Sequence, residues 1–278
     1  MTSPRALRRL PLHLAAALTV VLCLFPVYWM VTTAFKPSRD IQSEHPRLLP
    51  RSWTLDHFRR AIEADGFGLF WRNSVLVTLG AVALSLLVAL GASFAVARMR
   101  WRGRRQFMLM VFVAQMAPWE SLIIPVYIIA RDTDMLDRLP TLTLVYFMMT
   151  LPFTIVVLRG FLATIPPELE ESARVDGCTR LGAFRHVAFP LLAPGLMATS
   201  LFGYITAWNE FAYANFLIIK QQDHRTLPVW LSSFHNTFGT DWGATMAAST
   251  LFALPALVIF LLLQRHVTSG FAAGAVKG

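Results

Sequence analysis

The chain has 278 residues, 55% of them hydrophobic and only 15% charged, with a formal net charge of +9. The apolar residues fall in blocks long enough to cross a hydrocarbon layer of ~30 Å, which excludes an ordinary soluble domain. The basic residues sit at block ends and in short loops without any nucleic-acid motif, so membrane orientation accounts for the charge and nucleic acid is not an expected partner.

The first block, about 10–35, follows Arg5, Arg8 and Arg9 and runs from Leu10 to Phe35 without a charge. It is too long for the apolar region of a signal peptide and has no small-residue cleavage site close behind it, so it reads as an uncleaved first span. Five more spans follow, about 74–97, 107–130, 139–158, 191–219 and 242–264. Backbone groups in lipid must bond within their own segment, which makes every span a helix and the fold class an all-α polytopic membrane protein with a single domain over 1–278. Of the six spans, only the third and fifth contain an Asp, Glu, Lys or Arg, namely Glu120 and Glu210.

Arginines in short loops set the orientation. The loop after the second span holds Arg98, Arg100, Arg102, Arg104 and Arg105, whereas the next loop balances Arg131 and Arg138 against Asp132, Asp134 and Asp137. The positive-inside rule puts the arginine-rich loop, both termini and the 159–190 connection in the cytoplasm. Cys23 lies in a span and Cys178 in that inner connection, so no disulfide is expected.

The inner connection carries most of the functional signal. Pro166-Pro167 stops the fourth span and suits the first turn of a new helix, where Glu168, Glu170 and Glu171 are favoured by the helix dipole. Asp176-Gly177 is a turn signal. A second short helix, Leu181 to Phe189, should carry Leu181, Phe184 and Ala188 on one side and end at Pro190 and Pro194-Gly195.

Within this connection, Glu171-Ser172-Ala173, three residues, Gly177, nine residues and Val187-Ala188-Phe189-Pro190 resemble the cytoplasmic coupling loop of ABC importer permeases. That family's pattern is E-A-A, three residues, G, nine residues and I-x-L-P; Ser172, Val187 and Phe189 depart from it mildly. The run Ala207-Trp208-Asn209-Glu210-Phe211 and the tail Gly270 to Gly278 resemble the carbohydrate permeases of type I importers, and the likeness extends over essentially the whole chain. The resemblance implies that Glu171 pairs with a basic residue of an ATPase. It also implies that Leu169, Ser172, Ala173, Asp176, Gly177 and Pro190 seat or shape the coupling segment in an ATPase groove. The implied partners are a second homologous permease, two ATPase subunits and an extracytoplasmic sugar-binding protein. No cofactor is expected on this chain; ATP and Mg²⁺ would sit on the ATPase, since no G-x-x-x-x-G-K-[ST] loop occurs here. The chain is therefore not expected to be an enzyme itself.

Charges inside a bilayer usually face a polar interior. Glu120 and Glu210 fall at similar depth, roughly 15 Å from the outer boundary at ~1.5 Å per residue. Thr199, Gly203, Thr206, Glu210 and Tyr213 recur as a stripe on one face of a continuous fifth helix, with Trp208, Asn209 and Asn215 nearby. Trp119, Glu120 and Tyr127 share adjoining faces of the third. Aromatic faces beside carboxylate and amide groups suit a sugar, so Trp119, Glu120, Tyr127, Thr206, Trp208, Asn209, Glu210 and Tyr213 are candidate pathway residues. The same stripe also suits plain helix packing in a membrane. Two other substrate readings are open: a glycerophosphodiester or sugar-phosphate importer, disfavoured because the spans offer no cation, and an ion-coupled transporter using either glutamate.

Overall fold

In a computed structural model, residues 4–64, 66–236 and 239–275 are described, and the chain divides into two compact units. One comprises Met1–Phe67 and Leu231–Leu254, the other Gly68–Trp230 and Pro255–Gly278.

The first unit starts with α1 (Pro4–Ala34), whose residues from Pro11 to Val27 are all exposed. Such a surface fits hydrocarbon and not water. Behind it come α2 (Ser38–Ile41) and α3 (Asp56–Glu63). Lys36 is buried where it leaves α1; its Nζ donates to the Arg47 carbonyl at 2.8 Å and lies 3.9 Å from the Trp29 ring centre. Burial holds this ammonium below its usual pKa, and Asp40 pulls the other way. On α3, the buried His57 ring donates through Nε2 to the Lys36 carbonyl at 2.8 Å and accepts at Nδ1 from Arg60, which also reaches Asp241 at 2.9 Å. Asp241 in turn accepts from the Ala244 N–H, within the first turn of the last helix.

The second unit holds α4 (Phe67–Arg98), apart from its first residue, then α5 (Arg104–Gln115), α6 (Ile123–Asp132), α7 (Leu139–Thr164), α8 (Pro167–Val175), α9 (Arg180–Ala183), α10 (Phe189–Leu191), α11 (Ala193–Trp208) and α12 (Ala212–Leu217). A short α13 (Leu227–Ser232) begins in this unit. It is followed by an antiparallel pair, β1 (His235–Asn236) and β2 (Gly239–Thr240), in register His235↔Thr240, and by α14 (Trp242–Ala275).

Ser74, Thr78, Ala81, Ser85, Ala89 and Ser93 are all buried on α4, a small-residue stripe that lets a neighbouring helix come close. That neighbour includes α7, where Thr154 receives the Ser85 hydroxyl at 3.2 Å. A core of Val77, Ala81, Leu142, Val145 and Tyr146 continues into Ala207, Tyr213, Ala214 and Leu217. On the other side, Phe107 and Val111 of α5 pack against Ile155 and Leu158 of α7.

Four described helices are long and apolar enough to span a membrane, or six if two bent pairs each count as one span. The bends correct the expectation of six continuous helices. The third span breaks by 90° between Gln115 and Trp119. Pro118 has no N–H to continue the ladder, and the residue before a proline is pushed out of the α region. A 3₁₀ turn, Trp119–Leu122, follows, so Glu120 sits on a turn and not on a helix wall. The fifth span bends by 69° at Leu192, stops at Trp208 and restarts at Ala212. Its polar stripe is therefore not one continuous helical face.

Candidate functional site: the coupling segment and the broken spans

The 166–190 connection folds as two short helical pieces joined at a turn. The pair Pro166-Pro167 separates α7 from α8, and Gly177 takes φ 95°, a conformation that an L side chain resists. The second piece departs from expectation. Pro190 does not end it; a π turn over Phe184–Ala188 widens the helix, and Pro190 lies inside α10. The extra residue per turn makes room for a ring that would otherwise meet the carbonyl four residues back. The expected shared face does not form: Ala188 is fully buried and Phe184 packs on Phe94 at 4.7 Å, but Leu181 is 74% exposed.

On α8 the candidate residues separate into an outward set and an anchor. Leu169, Glu171, Ser172, Asp176 and Gly177 are exposed and Ala173 is half-buried. Val175, at 87% exposure, and Leu181 add apolar groups that this chain does not cover. Glu170 points the other way. Its carboxylate takes the Arg98 Nε–H at 2.7 Å with both side chains nearly buried, and Arg98 also donates to the Ile165 carbonyl at 2.8 Å. Arg180 reaches back to the Arg98 carbonyl at 3.3 Å. From the sequence alone Glu170 has only a helix-dipole role and Arg98 only an orienting one. The available signal was an acid one residue before the motif glutamate and a basic residue closing α4.

In the membrane-depth region, Glu210 is anchored. Its carboxylate accepts the Tyr213 N–H at 2.8 Å, the Ala214 N–H at 3.2 Å and the Tyr146 hydroxyl at 2.7 Å. It thus satisfies N–H groups that α12 leaves open where the span restarts, as a side-chain cap does. The Tyr213 hydroxyl donates to the Trp119 carbonyl at 2.7 Å, which joins the two breaks. Both Glu120 and Glu210 lie within electrostatic reach of that tyrosine. Trp208 is buried, stacked on Tyr204 at 5.4 Å and edge-on to Trp71 at 5.8 Å. Thr199 and Gly203 are buried as well, Gly203 close to Val82 and Thr150. Thr206, Trp119 and Tyr127 are half-buried, whereas Glu120, Asn209 and Asn215 are exposed. Asn209 donates to the Ile205 carbonyl at 2.8 Å, closing the end of α11.

At the other end of α12, Asp137 accepts the N–H groups of Ile219, Lys220 and Gln221 at 2.6, 2.7 and 3.2 Å through one carboxylate oxygen. It thereby ties the α6–α7 loop to the end of the fifth span. In the sequence Asp137 enters only a loop charge balance. The tail from Gly270 to Gly278 lies outside the residues described in side-chain detail.

Interrupted spans around a shared junction, with a helical connection held by a buried ion pair, fit a polytopic membrane permease. A family model for the binding-protein-dependent transport system inner membrane component matches residues 75–272. The chain belongs to that family, and it is a permease subunit of an ABC importer, as the coupling-loop resemblance implied. It is 56% identical over 266 residues to the diacetylchitobiose uptake system permease protein DasC of Streptomyces coelicolor, covering 96% of each chain. It is 32% identical to the trehalose/maltose transport system permease protein MalG of Thermococcus litoralis, covering 98% of each. In fold it is similar to a chain of a bacterial ABC transporter that imports alginate, with a TM-score of 0.81 at 21% identity, over 95% of this chain and 99% of the other.

Proposed function

We propose that this chain forms half of the translocation path of a sugar importer and receives the ATPase stroke through the 166–190 segment. One observation carries the reading: α8 turns Leu169, Glu171, Ser172 and Val175 outward while Glu170 locks its opposite side to Arg98. A segment built this way is a rigid knob, and a rigid knob in a groove transmits rotation to the helices behind it. Arg98 closes α4 and Phe184 packs on α4 through Phe94, so a push on α8 is passed to a long spanning helix.

The partners in this reading are two ATPases that carry ATP and Mg²⁺, a second permease and an extracytoplasmic binding protein, with both termini of this chain in the cytoplasm. The substrate class is a neutral or N-acetylated oligosaccharide. Two features support it: the extensive identity to a diacetylchitobiose uptake permease, and half-buried aromatic groups beside the exposed Glu120, Asn209 and Asn215, with no cation in the third or fifth span. Stacking surface and hydrogen-bonding side chains suit a sugar's apolar faces and hydroxyls.

The test is a pull-down of the tagged chain from native membranes in mild detergent, followed by uptake of labelled N,N′-diacetylchitobiose in reconstituted vesicles. Co-recovery of an ATPase, a second permease and a binding protein, with ATP-dependent uptake, supports the reading. Recovery of the chain alone with ion-gradient-driven uptake overturns it.

A further inference from the structure

Where α5 packs against α7 through Phe107, Val111, Ile155 and Leu158, the ends of the two helices leave an open groove of 910 Å³. Arg104 and Arg105 line it from the first turn of α5, and Arg159 lines it from α7. Trp101 forms one wall, with its ring 3.3 Å from where a Cβ on Gly103 would lie. Gly103 itself has φ 94° and offers no side chain to the α5 N-terminus, so the open N–H groups of that turn are not capped by this chain. Leu109 and Phe112 continue the wall one and two turns along α5, both exposed.

The charges in this groove lack an internal answer. Arg104 and Arg159 are half-buried, no carboxylate lines the groove, and neither arginine has an ion pair among the described residues. Arg98, a few residues away, is treated differently: it has Glu170. A half-buried guanidinium with no acid beside it calls for an anion from outside. The surroundings say what kind. An exposed tryptophan sits beside the arginines and an exposed apolar wall runs from them along the spanning helix, which is the profile of a phospholipid with its phosphate at the helix end and its acyl chain along the helix.

We propose that this groove is a binding site for an anionic phospholipid, with Arg104, Arg105 and Arg159 on the phosphate and Leu109 and Phe112 on an acyl chain. The assignment to the cytoplasmic leaflet rests on the orientation proposed above; lipid capture itself does not, and it is read without transport.

The experiment is native mass spectrometry of the intact importer, carried through detergent exchange and then offered phosphatidylglycerol, cardiolipin or phosphatidylethanolamine. Wild-type complex should retain the anionic lipids in preference to phosphatidylethanolamine. Arg104→Gln and Arg159→Gln should each lower that retention roughly five-fold and the double variant about thirty-fold, taking the usual contribution of a basic residue at an anionic surface. Arg102→Gln, in the same loop but outside the groove, should leave it unchanged. If the double variant fails to assemble, the single Arg159→Gln on the α7 wall decides. Unchanged retention in Arg159→Gln overturns the proposal. So does displacement of the lipid by millimolar inorganic phosphate, which would make the groove a free-anion site. Loss of the ATPase from the Arg159→Gln complex with lipid retention intact also overturns it, by assigning the arginines to a protein contact.

Discussion

The coupling segment and the broken fifth span each commit one acid to holding the fold beside a polar neighbour left exposed, and the two regions reverse the roles that a motif suggests. On α8 the buried acid is Glu170, tied to Arg98, and the motif glutamate Glu171 is free. At the restart of the fifth span the committed acid is Glu210 itself, half-buried and closed by Tyr146 and the N–H groups of α12, and the exposed polar groups are Asn209 and, on the other broken span, Glu120. An acid can hold a bend together or face a partner, but a carboxylate whose oxygens are already committed has little left for a ligand.

The comparison breaks first at Arg98. Arg98→Ala leaves Glu170 nearly buried without a counter-charge and should cost about 3–5 kcal/mol, seen as loss of folded chain in a thermal or detergent-denaturation series. Arg98→Met combined with Glu170→Leu should recover much of that loss; if the double variant is as unstable as the single, the pair is not what holds α8. Next comes Glu210→Ala, which strips one cap and one tyrosine hydroxyl of their acceptor and should destabilise by about 3 kcal/mol. Tyr146→Phe should cost about 1 kcal/mol and leave the cap in place. A Glu210→Ala variant of wild-type stability that fails only in transport would return that carboxylate to the pathway.

A further variant probes the joint between the two regions. A Cβ on Gly195 would fall 2.7 Å from the Phe161 ring, so Gly195→Ala should cost about 1–3 kcal/mol as α7 and α11 are forced apart. The smallest effect on stability belongs to Glu171→Ala, expected within about 0.5 kcal/mol of wild type because the side chain is exposed. Its effect should fall instead on coupling: ATPase co-purification and ATP-driven uptake should drop while membrane insertion stays normal. Full uptake in that variant would separate the exposed face of α8 from the ATPase.

Much of the protein was legible from the chain itself. Long uncharged blocks allow only helices in lipid, so the number and rough placement of the spans were available from composition, and the spacing from Glu171 through Gly177 to Pro190 was enough to identify the permease class. Local chemistry also marked the Pro166-Pro167 boundary and the positive φ at Gly177, because proline and glycine act on their own backbone. Hydropathy could not reveal the bends at Pro118 and Leu192, since a broken span is as apolar as a straight one. Tertiary structure alone decided which acid is inside. Glu170 and Glu171 are adjacent and chemically alike, and only the arrival of Arg98, 72 residues earlier in the chain, distinguishes them. Glu210 likewise becomes a cap only because Tyr146, 64 residues away on α7, closes over it. A charge at membrane depth announces itself in sequence, but its partner is chosen by packing between helices distant along the chain, and that partner determines whether the charge holds the fold or is free to act.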